Sequence, residues 1–255
     1  MSPDRVLAYA AAVTEELLTA SGGSLQAAYL HGSAVLGGWQ PTSDVDMLFV
    51  TADAIAGSTL ARMAAVLAAR SDQAGGCPGR GLECSVVTAT AALAPCAPWP
   101  YLLHVVGEPA GCRIHDGAGS PGDSDLLMHY AVCRAAGRAL TGSSPRDVIG
   151  PVPRQTILGY LADELHWGLQ HAPEAYVVLN ACRAMVYLTD DVIVSKIAGG
   201  EAALDRGVGP AELIARALSQ QLGRAARQQP GDEAAEFVRA TAAALRDACG
   251  LNYRP

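Results

Sequence analysis

Two short groups in the first third of the chain have the types and spacing to hold phosphate oxygens and a hard cation. The first is Gly32-Ser33, where the apolar run Ala27-Ala28-Tyr29-Leu30 ends and a turn begins. Backbone N–H groups at such a turn, with a serine hydroxyl among them, can hold phosphate oxygens. The second is Ser43-Asp44-Val45-Asp46, leading into Met47-Leu48-Phe49-Val50. Residues i and i+2 of a strand face the same way, so Asp44 and Asp46 can hold one hard cation. Magnesium prefers oxygen ligands and commonly binds one or two carboxylates together with substrate phosphates. A third acid, Glu83, lies at the start of the run Leu82 to Thr88. Beside the aspartates it would complete the metal site or act as a base. Gly-Ser alone carries no information and Asp-x-Asp alone carries little. In this order, each tied to a strand, they point to a site for a magnesium ion and phosphate oxygens.

The elements that must position these residues follow from periodicity. Val6 to Ala20 has helical apolar spacing and stops at Ser21-Gly22-Gly23. Strands are predicted at 27–30, 45–50 and 82–88, with a helix over 54–70 and a Gly-rich loop over 71–81. Residues 89–124, rich in Pro and Gly, read as irregular. A helix is predicted over 126–139, a short segment from Pro145, and a break at Gly150-Pro151-Val152-Pro153. From Thr156 onward the pattern is successive amphipathic helices, with turns near 171–173, 199–200, 207–210 and 229–231. The fold class is therefore α+β. A mixed sheet with helices occupies residues 1–151, and an all-helical bundle occupies 152–255.

Composition narrows the function classes. Half of the 255 residues are apolar, 17% are charged, and the net charge is −7. This is a folded composition. An acidic chain without a Lys/Arg cluster lacks the concentrated positive charge of a nucleic-acid binder. The seven Cys, at 77, 84, 96, 112, 133, 182 and 249, form no Cys-x-x-Cys pair. That disfavours zinc or a disulfide framework and fits free thiols in a reducing cytosol. No signal design opens the chain, and no run approaches the ~18 apolar residues of a membrane span. A soluble cytoplasmic protein without membrane or nucleic-acid partners is expected.

The Gly-Ser … Asp-x-Asp pattern resembles the signature of the nucleotidyltransferase superfamily. The segment Tyr29 to Val35, then Gly37-Gly38, then Pro41-x-Ser43-Asp44-Val45-Asp46, is similar to the aminoglycoside adenylyltransferases that modify streptomycin and spectinomycin. The similarity continues at Leu82 to Val87, Asp125, Arg134, Thr141-Gly142, Pro151-Val152-Pro153, Val177 to Arg183, and Ser195-Lys196. It implies a monomeric enzyme that transfers AMP from ATP to a hydroxyl of an aminoglycoside or aminocyclitol. Asp44 and Asp46 would hold Mg2+, joined by Glu83, which would also be the general base. Gly32, Ser33 and Ser43 would contact the triphosphate, and Arg183 and Lys196 would bind ATP phosphates from the helical domain.

The pattern departs from the family in two places. Where relatives that accept both drugs carry a Trp and an Asp, this chain has Pro109 and Pro173. That disfavours streptomycin and favours spectinomycin, modified at its 9-hydroxyl. The alternatives are a nucleotidyltransferase acting on another small molecule, a protein or an RNA end, and a non-catalytic nucleotide sensor. His31 is expected to make structural hydrogen bonds, Trp39 to cover the site edge, and Glu174 to be a plain helix-start acid.

Overall fold

The computed structural model describes residues 3–108 and 111–250, so Pro109 falls outside the described residues. The chain divides into two compact units, Met1–Val152 and Pro153–Pro255.

The apolar runs of the first unit become central strands because both of their faces are covered. Its elements in order are α1 (Pro3–Ser21), β1 (Leu25–Leu30), a 3-10 turn (Gly32–Ala34), β2 (Val45–Thr51), α2 (Gly57–Arg70), β3 (Leu82–Thr88), α3 (Ala89–Leu93), β4 (Leu103–Glu108), β5 (Gly111–Asp116), α4 (Leu126–Ala136), β6 (Arg138–Thr141) and α5 (Pro145–Val148). The sheet runs β5-β4-β3-β2-β1-β6. Only β2 and β3 pair in parallel. Parallel neighbours need a crossover, and α2 supplies it. Val13 and Leu17 of α1, Met63 and Leu67 of α2, and Met47, Phe49 and Val86 of the strands share one buried core.

Two segments differ from the sequence expectation. Residues 89–124 are not irregular throughout, since β4 and β5 form an antiparallel hairpin. β4 alternates buried and partly buried positions over only six residues, and β5 is an edge strand with no buried residue. A short alternation and an uncovered edge give little periodic signal. The helix expected to reach 139 ends at Ala136. A Cβ on Gly137 would sit 2.4 Å from the Cys133 carbonyl oxygen, and Arg138 to Thr141 instead pair with β1.

The second unit is helical: α6 (Arg154–His171), α7 (Glu174–Asp190), α8 (Lys196–Asp205), α9 (Ala211–Gln221) and α10 (Asp232–Ala248). Gly199-Gly200 is not the expected turn but lies inside α8. A Cβ on Gly199 would be 2.8 Å from the Arg183 backbone, and one on Gly200 would be 2.7 Å from Leu179 Cδ2. The two glycines exist for close helix packing, which local sequence cannot distinguish from a turn signal. Among the described residues no helix is long and apolar enough to cross a membrane.

Glu174 is not a plain helix-start acid. It is 1% exposed. Its carboxylate accepts from Arg216 Nε and Nη2 at 2.9 and 3.3 Å, Gln220 Nε2 at 3.1 Å and Gln228 Nε2 at 2.7 Å. Burial pushes its pKa up, but the Arg216, Gln228 and Gln220 hydrogen bonds outweigh it and leave the pKa below the usual range. A depressed folded-state pKa stabilises the fold above the unfolded value of about 4.3. That stability is lost as pH falls through the folded value. Glu174→Gln is therefore expected to cost about 2 kcal/mol at pH 7. In thermal melts across pH, the gap from the parent protein should narrow below roughly pH 4; a gap that stays constant down to pH 3 would contradict the assignment.

Candidate active site

The carboxylates of the first unit are brought together by strand register. Asp46 on β2 is the direct partner of Glu83 on β3, and Asp44 lies two residues earlier, ahead of β2. Partners on adjacent strands share a face, so Asp46 and Glu83 point the same way.

Gly32 explains why the turn and the acids belong to one site. The His31 N–H donates to the Asp46 carbonyl at 3.0 Å and ties the end of β1 to β2. Gly32 follows with φ +66°, and a Cβ there would lie 1.8 Å from Asp46 Oδ2. The Asp46 carboxylate therefore rests against the bare Cα of Gly32, which only glycine permits. The adjacent Ser33 hydroxyl oxygen is buried, with no hydrogen-bond partner among the described residues. The Ser43 hydroxyl instead accepts from the Gln40 N–H at 3.1 Å, while the Ser43 N–H donates to the Gln40 carbonyl at 2.8 Å. Ser43 thus closes the turn that delivers Asp44.

Neighbouring carboxylates repel one another. Burial raises the pKa of Glu83 and Asp44 raises it further, while His104 and Arg80 act in the opposite direction. Arg80, which sequence reasoning missed, donates from Nε and Nη2 to Asp44 at 2.9 and 2.6 Å. The register itself is the signal that could have found it. Asp46 pairs with Glu83, so the residues just before Glu83 must flank Asp44. No three His, Cys, Asp or Glu among the described residues close into a ligand set for a metal ion. The donor chemistry nonetheless fits magnesium, being two carboxylates in register on one face, with Asp44 just ahead of β2, beside a hydroxyl with no partner among the described residues.

Histidines line the inner side. His31 is 2% exposed, and its ring meets that of His129 edge-on at a 5.0 Å centroid distance. Burial, then His129, holds its pKa well below the usual range, so the ring is neutral. Its Nε2 has no partner among the described residues, while a hydrogen bond to the Met47 backbone acts against the lowering, and its own backbone N–H ties β1 to β2. His129 Nε2 is 3.9 Å from Glu83 Oε1. His104 Nδ1 is 2.9 Å from the Ser85 hydroxyl and 3.8 Å from Asp123. Asp125 stands at the start of α4 without a capping side-chain bond. An open pocket of about 350 Å3 elsewhere in the unit is lined by Leu7, Leu30, Val35, Trp39, Ala136 and Arg138, among others, and holds none of the three central acids.

In the second unit Arg183 and Lys196 are gathered by the α7–α8 contact. Neither is a freely solvated helix residue. Arg183 Nε is buried and lacks a hydrogen-bond partner, while Lys196 Nζ lies 4.1 Å from the centre of the Tyr176 ring. Lys196 follows Ser195, whose hydroxyl caps α8 by accepting from the Ala198 N–H at 3.1 Å. Pro173 occupies the position before Glu174 and starts α7.

Residues 147–246 match the family described as aminoglycoside adenylyltransferase, C-terminal domain. The match covers most of the helical unit. With this domain behind its mixed sheet, the chain is a nucleotidyltransferase enzyme. The whole fold is similar to a crystal structure of spectinomycin adenyltransferase AAD(9) from Enterococcus faecialis with ATP and spectinomycin. The TM-score is 0.64 at 16% identity, covering 94% of this chain and 97% of that one. No curated protein sequence matches it.

A double-mutant cycle tests the Gly32–Asp46 contact. Gly32→Ala should cost about 3 kcal/mol in chemical denaturation, from the clash and the left-handed backbone together. In an Asp46→Ala background only the backbone part, about 1 kcal/mol, should remain. Equal costs in both backgrounds would mean that the carboxylate does not rest on Gly32.

Proposed function

We propose that this enzyme transfers AMP from ATP to a hydroxyl of an aminoglycoside or aminocyclitol, with spectinomycin and its 9-hydroxyl as the first candidate. The observation that carries the reading is the register pair Asp46–Glu83, with Asp44 beside it and Gly32 packed on Asp46. The family of the helical unit and the fold shared with an ATP- and spectinomycin-bound structure support it.

In the reaction the acceptor hydroxyl oxygen attacks the α-phosphorus of ATP. The bond from that phosphorus to the bridging oxygen breaks, and pyrophosphate leaves. Glu83 takes the hydroxyl proton; its raised pKa suits a general base better than an ordinary carboxylate would. Asp44 and Asp46, with Glu83, would hold Mg2+, which when bound would neutralise charge on the phosphates. For Asp44 this means exchanging Arg80 for the cation. Gly32 and Ser33 would offer backbone N–H and hydroxyl donors to the triphosphate, with Ser43 at the neighbouring turn. Arg183 and Lys196 of the helical unit would supply positive charge to ATP phosphates.

Incubation with ATP, Mg2+ and either spectinomycin or streptomycin, read by mass spectrometry, tests this. AMP is expected on spectinomycin, and not on streptomycin, because Pro173 stands where dual-specificity relatives carry an acid. Glu83→Gln should slow transfer roughly 10²–10⁴-fold while ATP still binds. Transfer to both drugs would remove the specificity argument. Transfer to neither, with ATP bound, would shift the acceptor to another hydroxyl compound. Glu83→Gln turning over at the parental rate would remove its role as base.

A further inference from the structure

The pocket of about 350 Å3 in the first unit is walled by α1, the end of β1, the residues after the 3-10 turn, and the junction of α4 with β6. It holds none of Asp44, Asp46 or Glu83, so what it binds is independent of the adenylyl-transfer reading. We propose that this pocket is a second ligand site, which takes a small apolar molecule carrying one anionic group and holds that group on Arg138.

The walls set the body of the ligand. Leu7 of α1, Leu30 of β1, Val35 and Trp39 are apolar, and Ala136 closes the α4 side. Leu30 is 3% exposed and belongs to the core under the sheet. Leu7, Val35 and Trp39 are only partly buried and pack against that core from outside. Apolar surface left half-covered on converging elements is stabilised when a ligand removes it from water. Ligand pockets run upward from roughly 300 Å3, so this space suits a small molecule rather than a stretch of polypeptide.

One guanidinium sets the charge. Arg138 begins β6, the edge strand, and is the register partner of Leu30. Partners on adjacent strands share a face, so Arg138 stands on the side of the sheet that Leu30 gives to the core. It is exposed, and no carboxylate among the described residues pairs with it. Asp4 also lines the pocket, but it has an interaction of its own. A guanidinium keeps its charge at any physiological pH, and its planar fork of donors fits a carboxylate or sulfonate. Apolar walls beside it lower the local dielectric and strengthen that contact. A neutral apolar molecule would leave the guanidinium unused, and an inorganic anion would leave the walls wet.

Two fluorescent probes test both halves of the proposal. Anilinonaphthalenesulfonate joins a flat aromatic body to one sulfonate, and phenylnaphthylamine is the same body without the charge. Titration of the folded full chain should show saturable binding of the sulfonate. In Arg138→Gln its affinity should fall roughly tenfold, while that of the neutral amine stays within about twofold. Ala136→Trp fills the pocket from a half-buried position and should weaken both probes roughly tenfold or more. Leu7→Trp fills it independently from α1 and should do the same. Circular dichroism checks that each variant folds. No saturable sulfonate binding in the parent, or parental sulfonate affinity in the folded filled variants, overturns the site. Equal loss of both probes in Arg138→Gln, or loss of neither, overturns the assignment of the charge to Arg138, as would follow if its stem only covered apolar surface.

Discussion

Mutual repulsion of carboxylates on adjacent strands is the constraint around which the first unit is organised. Parallel pairing of β2 with β3 sets Asp46 against Glu83 and leaves Asp44 at the strand entrance. An apolar sheet gains nothing from three acids at one end, and burial, then Asp44, raises the pKa of Glu83. Arg80 offsets part of this through Asp44. Gly32 offers no side chain where Asp46 must lie. Each of these local features costs stability or flexibility elsewhere, and each makes sense once the acids have a cation and a phosphate chain to face.

The helical unit shows the complementary arrangement. Its one lysine and Arg183 are placed by two consecutive glycines that let α8 press on α7. Its buried acid, Glu174, takes no part in that face; it anchors the start of α7 to Arg216, Gln220 and Gln228. Stability and candidate chemistry are thus separated along one helix. Glu174 at its beginning holds the bundle, and Arg183 nine residues later faces the α8 contact.

Much of this was legible in the sequence where the pattern is dense. Gly32-Ser33 and Asp44-x-Asp46 flank predicted strands, and i, i+2 spacing alone puts the two aspartates on one face. Glu83 could be placed near them but not in register with Asp46, because strand pairing is a tertiary fact. The same gap hid Arg80, which becomes visible only when Asp46 and Glu83 are aligned. The hairpin β4–β5 was lost because its edge strand buries nothing. Gly199-Gly200 was misread as a turn because close helix packing and chain reversal both demand glycine.

The central claim is that Asp44, Asp46 and Glu83 act as one electrostatic unit that takes up a divalent cation. Titration of Mn2+ followed by electron paramagnetic resonance, with a non-hydrolysable ATP analogue present, tests it most directly. The account predicts a bound Mn2+ signal in the parent protein and its loss in both Asp44→Asn and Asp46→Asn, with the fold intact by circular dichroism. Undiminished Mn2+ binding in either aspartate variant would contradict it.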